Sequence, residues 1–246
     1  MPTSHFVYSG AVLLAGACLL ALPALAQQPA TVQQQNYNRS NLNTGEFQAY
    51  NTFDYRYEGL SGTPYLQKGW MPANVTLADQ RELKGVPSRY DVYRQVLVVQ
   101  PYAGKKDSVW LDVTRMKRFA LQPVLPGQAE RLFLPFADAP EAEKRKGFVE
   151  VLYQGSNGYS LLKLPRKVMV KANYEGAYAA DRRFDELVNR VEYYLRRPDN
   201  SVVEVKLTRK SLAGAAASLP GLAQSKREVK TEEDAVALLR SVEAGK

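Results

Sequence analysis

The stretch from Phe148 to Leu164 constrains this chain more than any other. It reads FVEVLYQGSNGYSLLKL, two apolar runs around Gly155-Ser156-Asn157-Gly158. Gly and Asn tolerate the positive φ that tight hairpin turns need, and β-branched and aromatic residues suit the flanking strands. The spacing predicts a hairpin, with Val149, Val151 and Tyr153 on one face and Tyr159 and Leu161 opposite them. Val151 is then a core position, and Glu150 the polar member of an alternating strand.

The segments before the hairpin repeat its character. Tyr65–Trp70 is a short run that ends in a turn near Met71-Pro72. Val75 and Leu77 alternate with polar neighbours. Glu82–Pro87 suggests a turn or a brief edge strand. Tyr90–Tyr93 and Val96–Gln100 suggest a hairpin about Arg94-Gln95, and Ser108–Thr114, Phe119–Leu121 and Leu132–Phe136 continue the series. Asp138–Lys146 is a charged surface loop or a single helical turn, and Val168–Val170 gives one more strand. Short strands at near-regular spacing, punctuated by Gly and Pro, imply a mainly β fold: an antiparallel sheet, a barrel or a sandwich over 63–207.

Residues 182–195 fit both helical and strand spacing. Pro198–Ser201 is a turn and Val202–Leu207 a strand, so a hairpin over about 190–207 is expected, with at most a short helix at 182–188. From 208 to 246 the pattern turns helical and forms a small C-terminal α-helical subdomain. Thr208 can cap a first helix and Pro220 can open a second. Thr231-Glu232-Glu233-Asp234 resembles a capping box ahead of an apolar face of Ala235, Leu238, Leu239 and Val242.

The N-terminus is a separate object. Phe6–Leu25 is apolar and lacks Asp, Glu, Lys and Arg, and Ala24-Leu25-Ala26 is a small-x-small cleavage pattern. Residues 1–26 read as a secretory signal peptide cleaved near Ala26. Ala15-Gly16-Ala17-Cys18 weakly matches a lipidation signal, but the apolar run continues past Cys18. Residues 27–62 form a polar leader, disordered over 27–45, in which Phe47, Tyr50, Phe53, Tyr55 and Tyr57 make an aromatic arm packed across the domain. A partner- or glycan-stacking strip is the sharper reading of those rings.

The chain has one His and one Cys, His5 and Cys18, and both lie in the signal. The exported protein can therefore form no disulfide, thiol nucleophile or Ser-His-Asp triad, and it lacks the usual ligands of zinc, copper and haem. No cofactor or metal is expected, and no catalytic residue is assigned. Carboxylate chemistry remains open. Asp79, Glu82, Asp91, Asp112 and Glu150 show no pairing in the sequence, where only separation in space would count. Lys210-Ser211 is a poor nucleophile–base pair, since adjacent helical positions do not face each other. Asp199-Asn200 carries too few oxygens for calcium. Trp70 and Trp110 are expected as core anchors. Asn38-Arg39-Ser40 and Asn74-Val75-Thr76 match the glycosylation pattern, which matters only in a eukaryotic secretory route.

The net charge of +8 lies wholly outside the signal. Basic residues recur as dispersed doublets, such as Arg166-Lys167, Arg182-Arg183 and Arg196-Arg197. An exported basic protein meets anionic lipid, lipopolysaccharide or acidic glycan before nucleic acid, which is not an expected partner.

The segments GTPYLQKGWMPANVTLADQRELKGVPSRYDVYRQVLVV, VWLDVTRMKRFAL, GFVEVLYQGSNGYSLLK and VEYYLRRPDNSVVEVKLTRKSL resemble a group of exported, uncharacterised β-rich envelope proteins of Gram-negative bacteria. The resemblance spans about Gly62 to Leu212. It implies an exported β-rich domain and no activity. The expectation is a non-enzymatic periplasmic or envelope protein that binds or scaffolds an apolar or anionic ligand. The alternatives are a carboxylate-dependent glycan hydrolase and a structural subunit of an envelope assembly with a protein partner.

Overall fold

The computed structural model describes residues 32–42, 50–51, 57, 59–100, 107–172 and 184–244. Residues 1–26, read above as a signal peptide, and most of the expected aromatic arm fall outside them. The fold is mainly β. Ten strands form one antiparallel sheet that does not close into a barrel, and a two-residue strand extends one edge. The strands are β1 (Tyr50–Asn51), β2 (Met71–Leu77), β3 (Glu82–Asp91), β4 (Val96–Val99), β5 (Asp107–Leu111), β6 (Met116–Leu121), β7 (Arg131–Pro135), β8 (Phe148–Gln154), β9 (Ser160–Val170), β10 (Glu186–Arg196) and β11 (Val202–Val205). Their order is β1-β5-β4-β3-β2-β6-β7-β8-β9-β10-β11. Helices α1 (Val32–Leu42), α2 (Arg209–Ala215), α3 (Pro220–Gln224) and α4 (Glu232–Ala244) flank the sheet.

The two faces differ, and alternation along paired strands shows how. The inner face carries Val75, Phe119, Phe133 and Phe148, all at 0–1% exposure, with Tyr90 against them. Phe119 and Phe133 stack at 4.6 Å between centroids. Tyr90 meets Phe119, Phe133 and Phe148 edge-on at 5.3, 5.5 and 6.0 Å. Tyr90 lies on β3 and Phe148 on β8, four places away in the sheet, so the sheet curls until its inner face packs on itself.

Gln95 fixes that curl. It sits in the β3–β4 turn at φ +60°, a left-handed conformation that costs a non-glycine residue about 1–2 kcal/mol. Its Oε1 accepts from the Phe148 N–H at 3.1 Å and the Tyr90 hydroxyl at 2.5 Å. Its Nε2 donates to the carbonyls of Val92 at 2.7 Å and Pro165 at 3.2 Å. Gly147 makes room for it, because a Cβ there would lie 2.7 Å from the Gln95 Oε1. The segment before β2 ties the two ends of the curl. Ser61 bridges to Glu186 of β10, and Tyr65 bridges to Asp91 of β3. Gly62, at φ +89°, passes so close to Leu187 that a Cβ would lie 2.9 Å from its carbonyl oxygen.

A second apolar cluster occupies the same inner face over β8–β11. Tyr153, Tyr159, Leu161, Leu195 and Val205 pack there against Leu212, Leu219, Leu222, Leu238 and Leu239 of the helical cap. The capping expectations hold. Thr208 caps α2 by accepting from the Ser211 N–H. Thr231 and Asp234 exchange reciprocal bonds of 3.2 and 3.1 Å at the start of α4. The outer face of β8–β10 is covered by the Asp138–Lys146 loop, which ends in a short 3-10 turn. Ala139 of this loop and Phe136 just before it pack on Val149, Leu162 and Tyr194.

Several expectations need correction. Val149 and Val151 lie on the outer face and Tyr153 on the inner one, because a register shift between Val151 and Tyr153 adds a residue and reverses the alternation. Val151 is only half-buried. Glu82–Pro87 is not a turn: it is the first half of the ten-residue β3, paired with β2 on one side and beyond the reach of β4 on the other. Met71-Pro72 opens β2 rather than turning, since Pro72 stands opposite Pro87 and no N–H is lost from that pair. Val168–Val170 is the end of β9, which runs unbroken through Pro165. The hairpin expected over about 190–207 forms, and its first strand already starts at Glu186, inside the stretch where the pattern allows a short helix at 182–188.

Within the leader read as disordered over 27–45, Val32–Leu42 is helical. The reason lies in the sheet. β4 pairs only with Ser88–Asp91, so the first half of β3 has a free edge on that side. Asn38 fills it like a strand residue: its Nδ2 donates to the Lys84 carbonyl at 2.9 Å and its Oδ1 accepts the Lys84 N–H at 3.0 Å. Asn41 donates to the Glu82 carbonyl at 2.9 Å, and Leu42 is buried in the core.

Candidate functional site

Two arrangements of charged side chains stand out, one on each face. The first is a belt on the inner face between the two apolar clusters. Register places Glu150 beside Phe133 on one side and Lys163 on the other, and Lys163 beside Tyr193. The Arg131 guanidinium grips both oxygens of Glu150 at 2.6 and 2.8 Å. Lys163 reaches Glu232 at the start of α4 at 2.7 Å, and the Tyr193 hydroxyl donates to the same oxygen at 2.7 Å. The Glu150 contact raises the Arg131 pKa. Burial, and then Glu232, raise that of Tyr193. The belt is neutral and its members are matched, so it reads as a seam between the sheet and the cap.

The second lies where β3–β5 turn their outer face to solvent. Arg89 alternates with the inward Ser88 and Tyr90. It pairs across the sheet with Val98, which pairs with Trp110. The Arg89 guanidinium sits 3.7 Å from the Tyr65 ring centre and 5.5 Å from that of Trp70. Arg94 sits 5.7 Å from Tyr57 and 5.6 Å from Trp110. Between them is Asp91, 2% exposed, which accepts from the Tyr57 hydroxyl at 2.6 Å and from the N–H groups of Tyr93 and Arg94 at 3.0 and 2.8 Å. Burial raises the Asp91 pKa despite these bonds. Such rings attract a cation through their negative faces and hold a planar guanidinium flat, leaving its edge donors free. The Arg89 Nε is buried with no hydrogen-bond partner among the described residues.

The residues singled out in the sequence scatter. Asp79 closes the β2–β3 turn on Arg81, and hydrogen bonds from Arg81 lower its pKa. Glu82 reaches Lys84 at 3.5 Å. Asp112 holds the N–H and hydroxyl of Thr114 in the turn after β5. The Ser211 hydroxyl accepts from the Lys206 N–H, and Lys210 is exposed. Asp199 accepts from Ser201 in a turn where Asn200 is at φ +63°. The Ser156-Asn157 tip is engaged: the Ser156 N–H and hydroxyl both donate to Glu243 of α4. Trp70 is 38% exposed and Trp110 half-buried, so neither is the core anchor expected; both stand over arginines. Phe47, Phe53 and Tyr55 lie outside the described residues.

A cavity of about 190 Å³ opens on the outer face of β2, β3, β6 and β7, lined by Asn74, Thr76, Glu82, Lys84, Arg118 and Glu130 among others. Its acids and bases balance. Among the described residues no three Asp, Glu, His or Cys side chains gather as metal ligands would, and no helix is long and apolar enough to cross a membrane. No family model, no curated protein and no solved structure matches the chain.

Arg89, Arg94 and Arg131 were not singled out by sequence reasoning. Arg89 and Arg94 flank the Tyr90–Tyr93 segment in the sequence, but Tyr65, Trp70 and Trp110 are distant along the chain and meet them only in the fold.

Proposed function

We propose that the protein is an exported, non-enzymatic envelope protein that binds or scaffolds an anionic or apolar envelope ligand. The observation that carries this reading is the pair of arginines on the outer face of β3–β5, stacked on aromatic rings and, among the described residues, with no ion pair to either. Elsewhere in the fold, Arg131 and Arg196 are each matched by a carboxylate on both nitrogens. A guanidinium held in one orientation against aromatic rings is disposed to take an external oxyanion. The net charge of +8 adds long-range attraction to such ligands.

The test incubates the chain from Gln27 onward with lipopolysaccharide, acidic glycan and anionic lipid at low and high salt. Binding that weakens with salt is expected, because exposed charges are screened. A lack of salt-sensitive binding to all three removes the anionic reading.

A glycan hydrolase would draw on Glu150 and Glu232, the two carboxylates of the inner belt. Glu150 already accepts from Arg131 on both oxygens, a poor geometry for a general acid. Release of reducing sugar from envelope glycans that is lost in Glu150→Gln would favour that alternative. A pull-down that recovers a stoichiometric envelope protein would favour a structural subunit.

A further inference from the structure

We infer that the outer face of β3–β5 docks on the headgroup layer of an anionic bilayer, with Arg89 and Arg94 taking lipid phosphates and Trp70 and Tyr93 entering the interface. This rests on the anionic-ligand reading above and names its ligand and its site.

The contacts form one continuous run. Trp70 and Tyr65 flank Arg89, and Tyr65 bridges to Asp91. Tyr57 donates to Asp91 and stands against Arg94, while Tyr93 meets Tyr57 edge-on at 6.3 Å between centroids. The charge balance along the run is positive. Among the described residues Asp91 is its one acid, buried and turned inward onto N–H and hydroxyl donors. Lys167 of β9 is close enough for its charge to be felt by Asp91.

Three observations choose the ligand. Each of the four rings over the arginines has a guanidinium against one face, and sugar stacking would have to compete for it. What a guanidinium stacked on a ring still offers is its edge donors, which match the oxygens of a phosphate; Arg94 is exposed, while Arg89 is half-buried with its Nε inside. Trp70 and Tyr93 are the third observation, exposed by 38% and 37% beside those donors. Amphipathic rings next to basic residues are the pattern of a membrane–water interface, where the ring enters the headgroup layer and the cation meets phosphate. A free phosphate would use the arginines and leave the exposed rings without a role.

The test is co-sedimentation of the chain from Gln27 onward with vesicles of phosphatidylcholine alone and of phosphatidylcholine mixed with phosphatidylglycerol. Binding to the mixed vesicles alone is expected, and high salt should release it. Arg94→Gln should weaken it about fivefold and Arg89→Gln with Arg94→Gln about twenty-five-fold, at roughly one headgroup interaction per arginine. Trp70→Ala should weaken it with the arginines intact. Arg94 and Trp70 are exposed, so those single variants test the surface even if the double variant misfolds, which its circular dichroism will show. Unchanged binding by folded Arg94→Gln and Trp70→Ala overturns the inference, as does equal binding to neutral vesicles. Soluble glycerol phosphate separates the two sources of phosphate: if it competes at the same phosphate concentration as the vesicles, the bilayer assignment falls. If the protein ignores mixed vesicles but binds an acidic glycan, the docking inference fails and the broader reading survives. If it binds none of these, both fail.

Discussion

One inner face is covered in two different ways. Over β2–β8 the sheet covers itself, and Tyr90, Phe119, Phe133 and Phe148 fill the space with aromatic contact. Over β8–β11 three helices do the covering, and hydrogen-bonding and charged groups hold their rim. Glu243 takes the Tyr153 hydroxyl at 2.5 Å along with the two donors of Ser156. Glu232 takes Lys163 and Tyr193, and Tyr159 hydrogen-bonds to Ser218 of the cap. The first cover is made by packing and cannot be removed without unfolding the sheet. The second has its own helices, its own apolar face and fastenings that depend on protonation. Cooperativity should therefore differ between two halves of one ladder.

The largest blow to the comparison should come from Phe133→Ala. Truncating a fully buried aromatic in a quartet costs about 3–5 kcal/mol. Urea unfolding should show one lowered midpoint, with sheet and cap lost together. Leu238→Ala removes a buried cap residue at about 2–5 kcal/mol. Here hydrogen exchange should rise across α2–α4 and stay low in β2, β6 and β7. Uniformly faster exchange would mean the two halves are one unit after all. Gln95→Ala strands the Phe148 N–H and the Pro165 carbonyl, each worth about 1–3 kcal/mol when buried without a partner. Its melting temperature should fall with the cap's relative protection unchanged. Thr231→Ala breaks the capping box and should cost about 1 kcal/mol, confined to the start of α4.

The smallest effect separates the two covers by pH. Hydrogen bonds from Ser156 and Tyr153 hold the Glu243 carboxyl at about 2, below its ordinary value of 4.5. A carboxyl with a depressed folded pKa stabilises fully above its unfolded value, and the contribution is lost as pH falls through the folded one. The cap should therefore loosen between pH 4.5 and about 2, and Glu243→Gln should flatten that part of the melting curve. Burial, and then Glu243, push the Tyr153 hydroxyl up to about 12, so the partner hydroxyl stays a donor throughout.

What the sequence disclosed was local. The Gly155–Gly158 turn, the β10–β11 hairpin and the Thr231–Asp234 box each depend on residues a few positions apart, and each is where the pattern put it. What it concealed was long-range. The extra residue near Leu152 leaves no mark in composition, yet it moves Tyr153 to the opposite face from Val149. α1 looked disordered because its residues are polar; its order comes from the bare edge of β3, more than forty positions away. Glu82–Pro87 looked too short for more than a turn or a brief strand because Gly85 and Pro87 punctuate it, and only the β2 pairing makes it half of a ten-residue strand. Alternation from Phe148 would have turned Glu150 inward, toward a cation, but nothing in the sequence named Arg131 as that cation. The arginine run was in view as residue types, and only the curl of the sheet assembled it.

The short link through Ser61 and Tyr65 also bears on how the chain comes together. Its two anchors are Asp91, reached early in synthesis, and Glu186, reached late. A link that closes so long a loop pays its entropy before it gains its contacts, so it cannot form first. The segment from Leu60 to Leu66 must wait, unpaired on one side, until β10 exists. Thus a piece that leaves the ribosome among the earliest is seated among the last. Until then the aromatic interior it helps to fasten stays open to whatever the chain meets before β10 is in place.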